Sequence, residues 1–321
     1  MIMNNDVVTF NIGEPEIFSP HDFIDMLSCQ TIDGYYAPPV SYDTLTKLPR
    51  LNTHHESALD CKKNILSSIF KDTHFLDYES CEAFIADYLI FGNAYLEPVK
   101  SLVGNTIRYR HVMAKYTRVG TDGNYYFLQN FGEKIKKNNL IHVKAYDVNQ
   151  NVYGIPPYLS AMLNIALNHA GTLFRYKYYK NGSHAGFILA INGHVSDKGM
   201  KTIEETLKKT KQSGNFNNLL VHLPKGDKDS VQLIPISQIA AKDEFVNIKD
   251  VSRDDIATVH RVPLVLMSIQ ASNAGGFGNP APFAKVFYKN ELYPMIRKFY
   301  SVNHRLGQKI FDFDKYDLEE S

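Results

Sequence analysis

The centre of the chain contains a long helical pattern that is apolar on more than one face. Pro156 and Pro157 suit a first helical turn, and the pattern runs from there to Lys180. A helix that is apolar most of the way round must be covered on most sides, so the partner for its second face could be another subunit. The pattern contains one stripe formed by Met162, Ile165, Ala166, Ala170 and Leu173 and another formed by Leu159, Leu163, Leu167 and Phe174.

A second long helical pattern, from about Gln238 to Arg261, is separated from the first by a small α/β pattern. That intervening segment predicts a strand over 185–191, a helix capped by Ser196 and strands over 219–223 and 231–236. Its predicted helix carries a run of lysines, for which a solvated face is favoured over a partner or DNA surface. The lysines are Lys198, Lys201, Lys208, Lys209 and Lys211.

The remaining segments predict a mixed helical and β structure. The first fifty residues are rich in proline and read as an arm, and helical patterns then start at Thr53 and at Ser80, which we expect to be an N-cap. Short strand patterns follow Gly92 and predict an antiparallel meander. After Pro263 come a glycine-rich loop at 269–282, a helix that Pro294 must kink or split, and an acidic tail from Asp312 that we expect to fray. The strands are predicted over 94–99, 106–109, 125–131 and 140–146.

Composition excludes several classes of protein. Lys and Arg number 35 against 34 Asp and Glu, so the formal charge is +1, and a protein held on DNA mainly by a basic surface is not expected. Three cysteines at wide spacing fit neither a disulfide framework nor a zinc site and suit a reducing cytoplasm. The N-terminus does not resemble a signal peptide, and no apolar run is long enough to span a membrane.

The sequence provides little support for catalysis. The pattern Gly276-x-Gly278-x-x-Ala281 matches a loose dinucleotide-binding motif, but Pro280 interrupts it and a flexible loop is the favoured interpretation. We therefore expect no catalytic residue, no cofactor and no metal. The metal-capable side chains His54, His55, Glu56, Asp60 and Cys61 lack the spacing of a metal site and indicate an ordinary helix start.

Strings spread over most of the chain resemble the portal proteins of tailed bacteriophages, in particular the family of contractile-tailed phages and related prophages. No single string is specific, but their order and spacing extend from about Tyr35 to Pro294. In the first half of the chain, these strings are residues 36–41, 55–64, 87–97, 141–143 and 153–156. The C-terminal strings are at 179–183, 186–188, 255–257, 262–263, 275–279 and 291–294.

The resemblance implies an α+β portal fold that assembles as a ring, typically of twelve subunits, at one capsid vertex. It implies a wing, a two-helix stem, a small β-α-β-β clip and a helical crown, which is expected to be short. The boundaries would be 1–155 for the arm and wing, 156–184 and 238–262 for the stem helices, 185–237 for the clip, and 263–321 for the tunnel loop, wing helix and crown.

The resemblance also implies partners and a location. Terminase would drive double-stranded DNA through the channel, and neck, major capsid and scaffold proteins would contact the ring in the virion after assembly in the host cytoplasm. Two alternative functions remain open. The chain could be an enzyme that binds a nucleotide at the Gly276 loop, or it could be another ring-forming head–neck adaptor.

Candidate residues follow from the resemblance and the patterns together. The neutral loop residues and three cations are expected to face DNA, although the cations could equally pair with Glu244, Asp250 and Asp254 or reach neighbouring subunits. The DNA candidates are Gln270, Ser272, Asn273, Asn279, Lys242, Lys249 and Arg253; the interface candidates are Leu159, Leu163, Leu167 and Phe174; the clip candidates are Lys201, Lys208 and Lys209.

Overall fold

The computed structural model describes residues 29–129, 133–180, 187–192, 219–223, 230–235, 238–269 and 279–316. The chain divides into two compact units. The larger unit comprises residues 18–166 and 252–321, and the smaller comprises residues 1–17 and 167–251. Both connections between the units lie inside long helices.

The described part of the larger unit starts with a short hairpin and an amphipathic helix that the sequence analysis missed. Strands β1 (Thr31–Ile32) and β2 (Tyr35–Tyr36) pair antiparallel, and helix α1 (Tyr42–Leu51) follows. Pro49 lies in the last turn of α1, so the proline-rich segment that reads as an arm contains a helix. Loss of one backbone hydrogen bond there is offset by burial of the apolar face of the helix.

Two core helices follow, and side-chain caps fix their starts. Helix α2 (Thr53–Ser68) begins after Asn52, whose side chain accepts hydrogen bonds from two backbone N–H groups of the first turn. Helix α3 (Tyr78–Phe91) begins after Asp77, whose carboxylate accepts from the N–H of Ser80 at 2.7 Å. Ser80 is therefore inside the helix, and its prediction as the N-cap was wrong by three residues.

The strands after α3 form two sheets, so the predicted single meander was wrong. One sheet has the order β4-β3-β8 and the other the order β5-β6-β7, with antiparallel pairing throughout. The last strand returns to β3 because its apolar residues, Ile141 and Val143, complete the core beside that strand. The strands are β3 (Asn93–Lys100), β4 (Thr106–Val112), β5 (Thr117–Val119), β6 (Tyr125–Leu128), β7 (Lys134–Lys137) and β8 (Ile141–Lys144).

The two predicted long helices are present. A 3₁₀ turn at Pro157–Ala161 leads into α4 (Met162–Lys180), and α5 spans Gln238–His260. In the smaller unit, strand β9 (Phe187–Asn192) pairs parallel with β10 (Leu219–Leu223) and antiparallel with β11 (Ser230–Pro235). The predicted helix after Ser196 lies outside the described residues.

The C-terminal helical segment is continuous but irregular just before the predicted proline. Helix α6 (Ala281–Phe287) continues through a π-helical turn into α7 (Tyr293–Leu306), in which Pro294 occupies the first turn. The chain beyond α7 packs on the core as far as Tyr316, so the prediction that it frays from Asp312 was wrong. Phe311 is fully buried, and the backbone N–H of Asp314 donates to Ile69 at 2.7 Å, because alternating apolar residues give this segment a buried side.

A tight crossing joins the end of α3 to the chain before α4. Gly92 ends α3 in the left-handed conformation, with φ of 67°. A side chain at this position would place its Cβ 2.8 Å from backbone atoms of Ile155 and Pro156. The neighbouring Asn93 is fully buried and holds Gly154 through two hydrogen bonds, at 2.7 and 2.8 Å. Glycine is thus required at 92 by both conformation and space.

We expect Gly92→Ala to destabilise the protein much more than Gly307→Ala. Gly307 caps α7 with nearly the same φ, 65°, but has open space where a Cβ would lie. The control variant should lower the free energy of unfolding by about 1–2 kcal/mol, the cost of a left-handed residue with a Cβ. Gly92→Ala should add about 1–3 kcal/mol for the steric clash. Denaturant unfolding of both variants measures this difference, and equal losses would contradict the crossing.

Candidate assembly and channel surfaces

The first turn of α2 contacts the ends of both long helices that lie in the larger unit. Buried Asn52, which caps α2, also donates from Nδ2 to the carbonyl of Ile165 in α4 at 3.4 Å. His55, three residues later, lies with Nδ1 2.8 Å from Nε2 of His260, the last residue of α5. One short segment therefore holds the two helices, and we call these four residues the helix junction.

Apolar and aromatic groups enclose the histidine pair. The ring of Tyr158 packs on His55, with centroids 4.5 Å apart, and stacks on His260 at 5.7 Å. Burial lowers the pKa of His55 to about 4; burial, with His55 and Lys62 nearby, lowers the pKa of His260 to about 2. Both side chains are consequently neutral at pH 7, and a proton added to either would lie in a buried site.

We expect the stability of the fold to fall as pH drops below about 6.5. Each histidine has a lower pKa folded than unfolded, so the unfolded state binds protons first, and the stabilisation present above pH 7 is lost toward pH 4. The slope contributed by each is at most about 1.4 kcal/mol per pH unit. His260→Gln should reduce the slope of unfolding free energy against pH between 5 and 6.5.

The matched control is His304→Gln, because His304 is exposed on α7. It should leave the slope unchanged. An unchanged slope in the folded His260→Gln protein would contradict a neutral, buried histidine pair.

An ion cluster lies next to the junction. Glu291, in the π-helical turn, accepts from Arg261 at 3.0 Å and lies 3.9 Å from Nζ of Lys62. Burial lowers the pKa of Lys62 to about 8, with the attraction of Glu291 opposing that shift. Because Arg261 directly follows α5 and Glu291 precedes α7, the pair ties together both ends of the segment that contains the glycine-rich loop.

One face of α4 exposes apolar side chains. Leu163, Leu167 and Leu173 are 54%, 47% and 42% exposed, and Ala166 and Ala170 on the same face are also exposed. The spacing of three and four residues places all of them on one side of the helix. This surface, the exposed apolar face, comprises Leu163, Ala166, Leu167, Ala170 and Leu173.

The opposite side of α4 is buried within the chain. Ile165, Asn168 and Gly171 are buried, and Asn168 donates from Nδ2 to the backbone carbonyl of Lys249 in α5 at 3.2 Å. Leu159, predicted as an interface residue, lies in the 3₁₀ turn before α4 and is only 6% exposed, packed in the core of its own subunit. The side chain of Phe174, also predicted as an interface residue, is not among those that the structure describes.

Three of the predicted DNA-facing residues have described side chains, and they are Lys249, Arg253 and Asn279. Arg253 is mostly buried and donates from Nε to Asp254 at 2.9 Å, and Lys249 is half-buried. The exposed Asn279 accepts from the backbone N–H of Ala281 at the start of α6. Outside the description lie Gln270, Ser272, Asn273, Gly276 and Gly278, the clip lysines Lys201, Lys208 and Lys209, and the side chain of Lys242.

Within the described residues, no group of three or more histidine, cysteine, aspartate or glutamate side chains is arranged to hold a metal ion. None of the described helices is long and apolar enough to cross a bilayer.

Comparison with known proteins identifies the family. A family model described as phage portal protein matches residues 74–319, more than half of the chain. The chain belongs to the phage portal protein family. The "Probable portal protein" of Escherichia phage P2 is 38% identical over 315 residues, covering 97% of this chain and 92% of that protein. The "Probable portal protein" of Haemophilus phage HP1 (strain HP1c1) is 32% identical over 269 residues, covering 81% and 78%.

Solved structures confirm a portal fold of mixed helix and sheet. The neck of a native gene transfer agent particle, computed with C12 symmetry, aligns with a TM-score of 0.61 at 16% identity, covering 88% of this chain and 86% of that one. The crystal structure of an HK97 family phage portal protein from Corynebacterium diphtheriae aligns with a TM-score of 0.53 at 13% identity, covering 80% and 91%. At these identities the structures show the fold alone.

Membership of the portal family confirms the resemblance to portals of contractile-tailed and related phages. It favours the portal over the head–neck adaptor, and the portal family is a structural one that is not known as enzymatic. The sequence analysis missed the helix junction. Asn52 before Thr53 is a recognisable N-cap signal, but no periodicity indicates a contact between His55 and His260, which are 205 residues apart.

Proposed function

We propose that copies of this protein form a closed ring at one vertex of a phage head and that double-stranded DNA enters and leaves through its channel. The exposed apolar face of α4 carries the proposal. Three leucines on one side of a helix are unfavourable in water, and each gains free energy when a second copy covers it. The opposite side of α4 is already buried, so the uncovered side is the one available to a neighbour.

A ring explains why a helix should keep such a face. In a cyclic assembly each subunit presents one surface to the next copy and receives another from the previous copy. The neck structure with the related fold was computed with C12 symmetry, and twelve subunits is also what the portal resemblance implies. We therefore propose that the exposed apolar face packs against the stem of a neighbouring subunit.

The proposed organisation assigns the parts of the chain to portal regions. Residues 1–155 form the arm and wing, 156–184 and 238–262 the stem helices, 185–237 the clip, and 263–321 the tunnel loop, wing helix and short crown. The clip is the proposed docking region for terminase and later for neck proteins. Capsid and scaffold proteins surround the ring, which assembles in the host cytoplasm and needs neither an enzymatic activity nor a cofactor.

The charge distribution suits a channel that binds the passing DNA only weakly. Each phosphate that a cation neutralises adds affinity that must be broken as DNA advances. The chain carries a formal charge of +1, and the cation of Arg253 is matched by the adjacent Asp254. Weak contacts repeated around a ring are sufficient to centre a duplex, because they act together.

We expect Leu163→Asp to block ring formation while leaving the subunit folded. A carboxylate on the exposed apolar face is solvated in the free subunit but must lose its water when a neighbour covers it. The control is Leu51→Asp, since Leu51 is similarly exposed, 43%, on α1. Circular dichroism and light scattering should show folded monomers for Leu163→Asp and rings for the control. Normal rings from Leu163→Asp would contradict the proposed interface.

A second prediction concerns the channel. Heads assembled with the double variant Lys249→Glu, Arg253→Glu should retain less DNA than wild-type heads, because repelled phosphates would oppose the advance of the duplex. The double variant Lys47→Glu, Arg108→Glu introduces the same charge change at exposed positions of the larger unit and should package normally. Complete packaging and retention by the first variant, in rings of normal appearance, would remove the DNA role of these two residues.

A further inference from the structure

Four apolar side chains stand apart by their exposure. Among the described residues, Leu102 is fully exposed, Val103 and Tyr146 are each 82% exposed, and Val148 is 80% exposed, whereas the next large apolar side chain is 62% exposed. They form two pairs. Leu102 and Val103 occupy the turn between β3 and β4, which we call the tip, and Tyr146 and Val148 occupy the loop after β8.

The tip is a closed, ordered turn. The N–H of Ser101 donates to the carbonyl of Asn105 at 2.8 Å, and the N–H of Gly104 donates back to Ser101 at 3.0 Å. Gly104 has a φ of 88°, which favours glycine. Leu102 and Val103 therefore sit at the two central positions of a β-turn and are held away from their own subunit.

The second pair lines a depression of about 780 Å³, which we call the groove, formed by residues 144–151 and Lys298. The loop that forms it is also ordered. The side chain of Asp147 accepts from the N–H of Asn149 at 2.8 Å, and Lys298 donates from Nζ to the carbonyl of Lys144 at 3.0 Å. A volume within the roughly 300–1,000 Å³ of ordinary ligand pockets leaves room for two aliphatic side chains.

The tip and the groove lie at opposite ends of the same sheet. Asn93, at the start of β3, pairs with Lys144 beside the groove, whereas Lys100, at the end of β3, pairs with Thr106 beside the tip. Eight residues of strand at about 3.3 Å each separate them by roughly 26 Å. The tip of one subunit therefore cannot fill its own groove.

We propose that the tip of one subunit inserts into the groove of the next copy, forming a second contact between neighbours in addition to α4. A head-to-tail contact between identical copies requires two unlike surfaces on each copy. The tip offers Leu102 and Val103, and the groove offers the apolar side chains of Tyr146 and Val148 among mostly polar lining residues, at the opposite end of the same sheet. A foreign partner would require only one of them. The inference rests on the proposed ring, and it assigns Leu102 and Val103 as the inserted side chains.

Cross-linking tests the contact directly. The pair Val103→Cys and Val148→Cys, treated with a bis-maleimide of short spacer, should give a ladder of covalent oligomers on a denaturing gel. Cys29 is replaced by Ser in all samples, because its Sγ lies 3.1 Å from Gln150 beside the groove. The control pair Lys47→Cys and Val148→Cys should remain monomeric, and a missing ladder from the first pair would overturn the contact.

A second variant separates this contact from the ring itself. Leu102→Ser, Val103→Ser should reduce the yield of rings at least about tenfold at subunit concentrations where wild type assembles, equivalent to about 1.4 kcal/mol of association. Ile107→Ser, an exposed apolar residue of adjacent β4, is the control.

The outcomes are distinguishable. Wild-type rings with a normal yield from the tip variant, and no ladder, would overturn the contact and leave the proposed ring standing. A ladder without wild-type rings would support the contact and contradict the ring. If the tip variant forms rings in normal yield but these rings are not incorporated into heads, the tip contacts a capsid protein instead, and the proposal is overturned.

Discussion

The structure depends on one buried junction. Two long helices leave and re-enter the larger unit, and both are held by the first turn of α2, where Asn52 bonds to Ile165 and His55 meets His260. Because the histidines are neutral and enclosed by Tyr158, the junction tolerates little change in charge or size. The adjacent Arg261–Glu291 pair ties both ends of the loop segment to the same region. Within the larger unit, the junction thereby fixes the start of α4 and the end of α5.

The packing of α4 leaves one of its faces available for assembly. Ile165, Asn168 and Gly171 are buried, whereas the leucines of the exposed apolar face remain about half exposed. The free energy available from covering them is the driving force that we assign to ring closure. The near-zero formal charge and the internal pairing of Arg253 then suit a channel through which DNA slides, since neither provides a strong site for phosphate.

Sequence patterns predict the features that depend on the conformational preferences of neighbouring residues. The long helices and the irregular turn beside Pro294 follow from periodicity and from the conformational limits of proline. Helix α1 was missed because tertiary burial outweighs the penalty of Pro49, and the return of β8 to β3 was missed because strand order is a long-range choice. Of the candidate interface residues, Leu163 and Leu167 are exposed, whereas Leu159 belongs to the subunit core. A helical wheel cannot distinguish those two fates, because it places Leu159 in the same stripe as Leu163 and Leu167, whereas Leu159 lies in the 3₁₀ turn before α4.

The central claim is that identical copies close into a ring around a channel. Electron microscopy of the purified protein over a range of concentrations tests it most directly, because it shows both closure and the central opening in single particles. We expect closed rings, with a uniform subunit number and a hole wide enough for duplex DNA. Compact monomers at every concentration, with α4 still folded, would contradict it.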